Sequence, residues 1–278
     1  MRLTACLFCA QVTLGAAAAA QQAAKLTVIL HKPRGFISAS PKTPRQRAAV
    51  RLLTSPNHVS QGYWPFGGGG VAVPNGRKGG KHGTSKWPHH WRSGLAPAGR
   101  LDMDSTGLLI LTQDGSIAKA LIGGDGLVDK EYHVTVAKAA GAAAAGGGSG
   151  ASVVVDDNQL ALLCHGLHLD DRPLKPATVE IIGGAAAGQT AHEQRRKVQG
   201  VEVEESGGAQ QPTAQLRFVL REGRYRQIRR MCEAVGLDVV WLHRVRIGGL
   251  SLGEDLRRPG FWRFVTPEEI ARLTLRDE

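Results

Sequence analysis

The chain has 278 residues, enough to bury a substantial core as one enlarged domain or two small ones, and its 42% apolar content excludes wholesale disorder. Net charge is +11, unevenly placed: residues 1–101 hold 14 Lys or Arg and no Asp or Glu, while the other 21 basic and 24 acidic side chains leave −3. That asymmetry implies a phosphate-rich partner ahead of an anionic membrane surface, and no run of about 18 apolar residues offers a spanning helix.

Residues 1–24 are Ala-rich and acid-free, with Arg2 and a short apolar stretch; they suit a signal or transit peptide and equally an Ala-rich disordered leader. The four cysteines (Cys6, Cys9, Cys164 and Cys232) are too few and scattered for a disulfide framework, which favours an intracellular, reducing compartment. That compartment would be a plastid or mitochondrion in a eukaryote, and the cytoplasm otherwise. Cys6 and Cys9 form a lone C-x-x-C without a second pair at finger-like spacing, so no metal is expected.

Leu26–Leu30 is a short β-branched run that predicts a strand, ended by the turn Lys32-Pro33-Arg34-Gly35. Residues 54–97 are rich in Gly, Pro, His and Trp and read as a long cationic insertion. Within it Lys78, Lys81, Lys86 and Arg92 are interleaved with Trp87 and Trp91, a composition suited to RNA contacts and equally to a disordered loop. Its Gly-Lys clusters lack the ending of a phosphate loop. Leu108–Leu111 predicts a buried strand closed by Gln113-Asp114-Gly115, Ser116–Ile122 a short helix, and Tyr132–Val136 an alternating strand.

Residues 139–151 are almost pure Ala and Gly, and 183–212 is a second polar, low-complexity insertion; both predict loops. Val153–Val155, Ala177–Ile182 and Leu216–Leu220 are further strand candidates. Arg226–Val235 predicts a helix stopped by Gly236, with Ile228, Met231, Cys232 and Val235 on one stripe and Arg226, Arg229 and Arg230 at its margin. Strands interspersed with short helices indicate an α+β fold on a mixed, mostly antiparallel sheet with low-complexity insertions.

Asp102 is the first carboxylate of the chain and follows Arg100 in GRLDMDSTGLLILTQDG (99–115). A lone Asp there would be a turn or cap residue, and Asp104 and Asp114 are read that way. Three segments nonetheless carry chemistry together: the Asp102 stretch, KEYHVTV (130–136) and EGRYRQIRRMCEAVG (222–236). With the Lys32–Gly35 turn and the closing LHRVRIGGLSLGEDLRRPGFWR (242–263), they resemble, in order, the bacterial-type rRNA pseudouridine synthases of the RsuA branch. The matches cover most of residues 26–270 apart from the insertions, so residues 25–278 are expected to form the catalytic domain.

The resemblance implies a pseudouridine-synthase-like fold and the cofactor-free isomerisation of a uridine in RNA, most naturally rRNA; for oligomeric state, monomer is the default expectation. It assigns the catalytic nucleophile to Asp102, base stacking to Tyr132, and packing beside the base to Ile228. Arg229 is expected to pair with the catalytic carboxylate, Arg226 to lie with it on the substrate side, and Arg100 to fill the gap left by a flipped nucleotide. Tyr225 stands where asparagine is usual and Thr106 where glutamate is common. The first family-like strand begins near Leu26, so the small N-terminal RNA-binding domain of many relatives finds no counterpart, which bears on target choice. Eleven arginines and no lysine between Arg217 and Arg263 suit phosphate forks and base stacking. The rival from another class is a non-catalytic RNA-binding or ribosome-assembly factor; Asp102, Tyr132 and Arg229 together argue against it. A zinc-dependent base deaminase would need H-x-E and P-C-x-x-C patterns that are missing.

Overall fold

The computed structural model describes residues 25–59, 63, 65, 90–123, 128–139, 155–184 and 213–273. The leader with Cys6 and Cys9, the Lys78, Lys81, Lys86 and Trp87 cluster, residues 140–151 and most of 183–212 lie outside them.

In chain order the strands are β1 (Thr27–Lys32), β2 (Phe36–Ile37), β3 (Arg47–Ala48), β4 (Ala96–Pro97) and β5 (Thr106–Thr112), followed by helix α1 (Gly115–Ile122) and β6 (Lys130–Lys138). Then come α2 (Asp157–Cys164), β7 (His168–Leu169), β8 (Arg172–Pro173), β9 (Thr178–Gly184) and β10 (Thr213–Leu220). The chain continues through α3 (Gln227–Ala234), β11 (Leu237–Ile247), β12 (Leu250–Ser251), β13 (Trp262–Phe264) and α4 (Pro267–Leu273). One sheet runs β13-β1-β5-β11-β6-β10-β9, with β4 on β5 and β12 on β11. Its pairings are antiparallel except that of β5 with β11. The expected mixed, mostly antiparallel sheet with short helices is the one found.

β5 lies between β1 and β11 and is apolar along its length because both of its faces are covered. Leu108 and Ile110 pack into one layer with Ile29, Leu121 and Ile247, while Leu109 and Leu111 pack into another with Val28, Leu30, Trp262 and Phe264. A third apolar layer joins β6 and β10 to α3 through Val134, Leu216, Phe218, Ile228, Met231 and Cys232. The helix stripe read from spacing is therefore the buried face of α3, and Asp114 caps α1 by accepting from the Ser116 N–H.

Three local expectations change. Val155 is not in a strand: it precedes α2, whose Asp156–Gln159 capping box satisfies two backbone N–H groups. The ends of the 54–97 stretch belong to the fold. β4 pairs with β5, His58 bridges to Trp262, and Trp91 stacks on Trp262 at 5.0 Å. Trp91 is thus a packing residue, which removes it from the base-stacking role its composition suggested.

Candidate active site

The turn carrying Asp102 is tied down at almost every residue. Ser38 Oγ donates to the Leu101 carbonyl and accepts from the Leu101 N–H, each at 2.9 Å, and the Leu101 side chain anchors in the core beneath. The Gly35 N–H donates to the Met103 carbonyl at 2.8 Å, and the Ser105 N–H closes the turn on the Asp102 carbonyl at 3.1 Å. Buried Lys32 donates from Nζ to the Ser105 carbonyl at 2.7 Å and to the Pro33 carbonyl at 2.9 Å. The family-like Lys32–Gly35 turn is therefore the support of the aspartate turn. Asp102 itself keeps 30% of its side chain exposed, at an edge where a substrate can reach it.

Two guanidiniums from the start of α3 face this turn. Arg226 forks onto Asp104 at 3.2 and 3.3 Å and approaches Asp102 at 3.8 Å. Arg229, largely covered, pairs with Asp104 at 3.2 Å and donates to the Val239 carbonyl at 3.1 Å. The expected pairing of Arg229 with Asp102 is thus replaced: among the described residues the carboxylate within ion-pair reach of Arg229 is Asp104, and Arg226 is the cation that touches Asp102. Arg226 itself is the N-cap of α3 and has a left-handed backbone, φ 49. Gln227 fixes that bend, accepting from the Arg224 N–H at 2.9 Å and donating to Glu222 at 2.9 Å.

Asp104, read from sequence as a turn residue, is instead the hub of the cluster. Burial opposes its charge, but the Arg226 hydrogen bonds and nearby Arg229 outweigh this and hold its carboxyl below the ordinary range. The signal for it was an aspartate two residues from Asp102 with two arginines three apart on one helix. Spacing alone does not say which carboxylate meets which cation.

Tyr132 reaches the site across the sheet. Gly107, Arg244 and Tyr132 are successive Cα partners on β5, β11 and β6. The Arg244 guanidinium lies over the Tyr132 ring at 5.9 Å and donates to the Leu108 carbonyl at 2.8 Å and the Arg100 carbonyl at 3.2 Å. One buried arginine therefore links the ring to the backbone just before Asp102. Sequence reading missed Arg244; a charged residue inside an apolar strand was the available signal. Ile228 is buried in the same apolar cluster as Leu101 and Tyr132. The Arg100 side chain is exposed beside the turn, while its carbonyl is held. Thr106 pairs with His243 at 2.8 Å below the turn, and Tyr225 projects into solvent, so that departure from the usual asparagine leaves the fold untouched.

Lys32 gives a test of this arrangement. Burial lowers its pKa from 10.5 to about 8, and attraction to Asp104 and Asp102 only partly offsets that. The unfolded chain therefore holds this proton to higher pH, so stability contributed by the site rises as pH climbs from about 8 toward 10.5. Urea unfolding at two pH values should show wild type gaining about 1–2 kcal/mol between roughly pH 7.5 and 9.5 relative to Lys32→Met. Parallel curves for the two proteins would contradict the buried ammonium.

The fold, a mixed sheet in which an arginine-faced aspartate turn leads into an inner strand, is shared by a crystal structure of a pseudouridylate synthase. That structure aligns at TM-score 0.58 with 23% identity, covering 91% of this chain and 75% of that one. The RNA pseudouridylate synthase family model matches residues 26–234, and the chain belongs to that family. Ribosomal small subunit pseudouridine synthase A of Escherichia coli (strain K12) is 36% identical over 188 residues, 67% of this chain and 61% of the relative. The enzyme of the same name from Salmonella typhimurium is 34% identical over 181 residues, 64% of this chain and 59% of the relative. Ribosomal large subunit pseudouridine synthase E of Xanthomonas campestris is 36% identical over 174 residues, 61% of this chain and 79% of the relative. The chain thus spans about three fifths of the length of the small subunit relatives.

Proposed function

We propose that this chain isomerises a uridine already incorporated in RNA, with ribosomal RNA as the substrate class, to its C5-linked form. The observation that carries the reading is Asp102: a part-exposed carboxylate on a turn fixed by Ser38, Gly35 and Lys32, with the Arg226 guanidinium 3.8 Å away. Breaking and remaking a glycosidic bond needs a group that stays anionic, bonds and then leaves, and a carboxylate does all three. Attack on ribose C1′, attack on the uracil ring and abstraction of a ribose proton all require that same anion, and the arrangement serves each. Arg226 and Arg229 hold Asp104 and so orient the turn that presents Asp102.

A stacked uridine cannot reach Asp102, so the nucleotide is extruded, with Tyr132 and Ile228 supplying apolar surface to the uracil and Arg100 entering the gap. Replacing lost stacking contributes on the order of 1–3 kcal/mol per base. Residues 25–278 act as one catalytic unit, monomeric and without a cofactor, preceded by a leader at 1–24. An intracellular, reducing setting accords with Cys164 and Cys232, which form no disulfide among the described residues, the latter buried with its thiol pushed up to about 12. No helix among the described residues is long and apolar enough to cross a membrane.

Incubating the protein with ribosomal RNA tritiated at uridine C5 tests the proposal, because isomerisation frees that hydrogen to solvent. Release of label is expected. Binding without release would make the chain an RNA-binding or ribosome-assembly factor.

A further inference from the structure

We infer that the RNA backbone beside the site lies on the acid-free ledge of residues 34–51, and that the arginine-rich stretch from Arg217 to Arg263 does not carry it. The inference rests on the proposed function and adds to it the surface that grips the polyanion.

The arginine-rich stretch is the obvious phosphate binder in the sequence, yet most of its charge is already committed. Arg217 and Arg246 converge on Glu131, Arg221 meets Asp129, Arg230 forks onto Asp170, and Arg263 bridges Asp255 and Glu269. Arg224 donates to three backbone carbonyls, Arg226 and Arg229 hold Asp104, Arg244 is buried, and Arg257 pairs with Glu254. Ten of the eleven guanidiniums thus have an internal partner, leaving Arg258. A phosphate arriving there would compete with carboxylates or carbonyls already in contact.

The ledge is the opposite case. Lys42, Arg45, Arg47 and Arg51 are exposed and make no ion pair among the described residues, and the segment contains no carboxylate of its own. Exposed like charges without internal counter-ions leave this surface open to an anionic partner. Its position is fixed relative to Asp102 by the same bonds that build the turn. Gly35 holds Met103, Ser38 holds Leu101, and Arg47 is the Cα partner of Phe36 in the β2–β3 pair. Arg34 continues the ledge toward the site, near enough for its charge to act on Lys32 and Arg229. A strand whose nucleotide is extruded toward Asp102 therefore meets uncommitted cations on the segment that braces the turn, and each phosphate neutralised there releases counterions.

The test is the salt dependence of RNA binding by the full chain, with a fluorescent oligouridylate as probe. Removing three phosphate contacts with Arg45→Gln, Arg47→Gln and Arg51→Gln together should flatten the slope of log Kd against log salt by about 2. Turnover at saturating RNA should persist, since none of the three touches the site. The matched triple Arg221→Gln, Arg230→Gln and Arg257→Gln, all three ion-paired, should keep the wild-type slope. An unchanged slope in the first triple, or an equal loss in the second, overturns the inference while leaving the proposed function standing wherever wild type still releases tritium. A wild-type chain that neither binds the probe nor releases label overturns both.

Discussion

Asp102→Asn is expected to abolish release of tritium from uridine C5 while leaving RNA binding near wild type. The substitution preserves shape, and the turn is held by backbone bonds from Ser38 and Gly35 and by the Lys32 ammonium, none of which uses the Asp102 carboxylate. What is lost is the anion. An amide neither bonds reversibly to a sugar or pyrimidine carbon nor removes a proton, so the fall should be on the order of 10⁴-fold or more, as for other nucleophile deletions. Asp104→Asn is the contrasting case. Asp104 touches two arginines but is not the acid proposed to react, so its loss should loosen the geometry instead of deleting the chemistry. A drop of roughly 10–100-fold is expected, the scale of a misplacement near 1 Å. Stability should fall by about 1–2 kcal/mol, less than for a fully buried pair because Asp104 is 32% exposed. Single-turnover kinetics and urea titration of the two variants separate the roles. Equal activity losses at equal stability would mean that the two carboxylates share one function.

Much of this was legible from the chain, and the boundary of what was not has a physical cause. Five short runs in fixed order were enough to place β1, β5, β6 and α3, because each is a strong periodic or apolar pattern with turn residues at its ends. Asp102, Tyr132, Ile228, Arg229 and Arg226 all fall on the elements that converge near one turn. The pairing among them was not legible. Spacing does not say which arginine meets which aspartate, and no pattern announces the left-handed backbone at Arg226, a non-glycine residue. The fate of the arginines was also hidden. Their counter-charges Glu131, Asp129, Asp170 and Glu269 come from elements far off in sequence or from a neighbouring turn, and only folding shows that the charges are matched. α2 was missed because its signal is a capping box beside a low-complexity run, in a segment too short for a clear apolar period. Trp91 illustrates the converse error: an aromatic flanked by cations in a Gly-rich stretch was read for recognition, and it packs on Trp262 instead.

The largest effect on folding is expected from Gly107→Ala. Gly107 sits in the second half of the aspartate motif, at the start of β5, where that strand meets β11 in the sheet's parallel pairing. Its φ is +111, a backbone region that side chains with a Cβ rarely adopt. A Cβ placed there would lie 2.3 Å from the Arg244 carbonyl oxygen and 2.6 Å from the Arg244 nitrogen. Backbone cannot rotate out of the way as a side chain can. Relief would require β5 and β11 to separate, and the same movement would pull Arg244 from the Arg100 and Leu108 carbonyls and from the Tyr132 ring. Backbone strain of about 1–3 kcal/mol combines with overpacking of similar size, for a total near 3–5 kcal/mol. Against a typical stability of roughly 5–15 kcal/mol, that removes a large share of the margin and should lower the melting temperature well below wild type. Gly115→Ala is the control: nothing lies within 4 Å of its added Cβ and its backbone is ordinary, so it should melt at or slightly above wild type. Thermal unfolding of the two variants decides the matter. A Gly107→Ala protein that melts like Gly115→Ala would show that β5 and β11 do not approach this closely, and the link between Tyr132 and the aspartate turn would lose its basis.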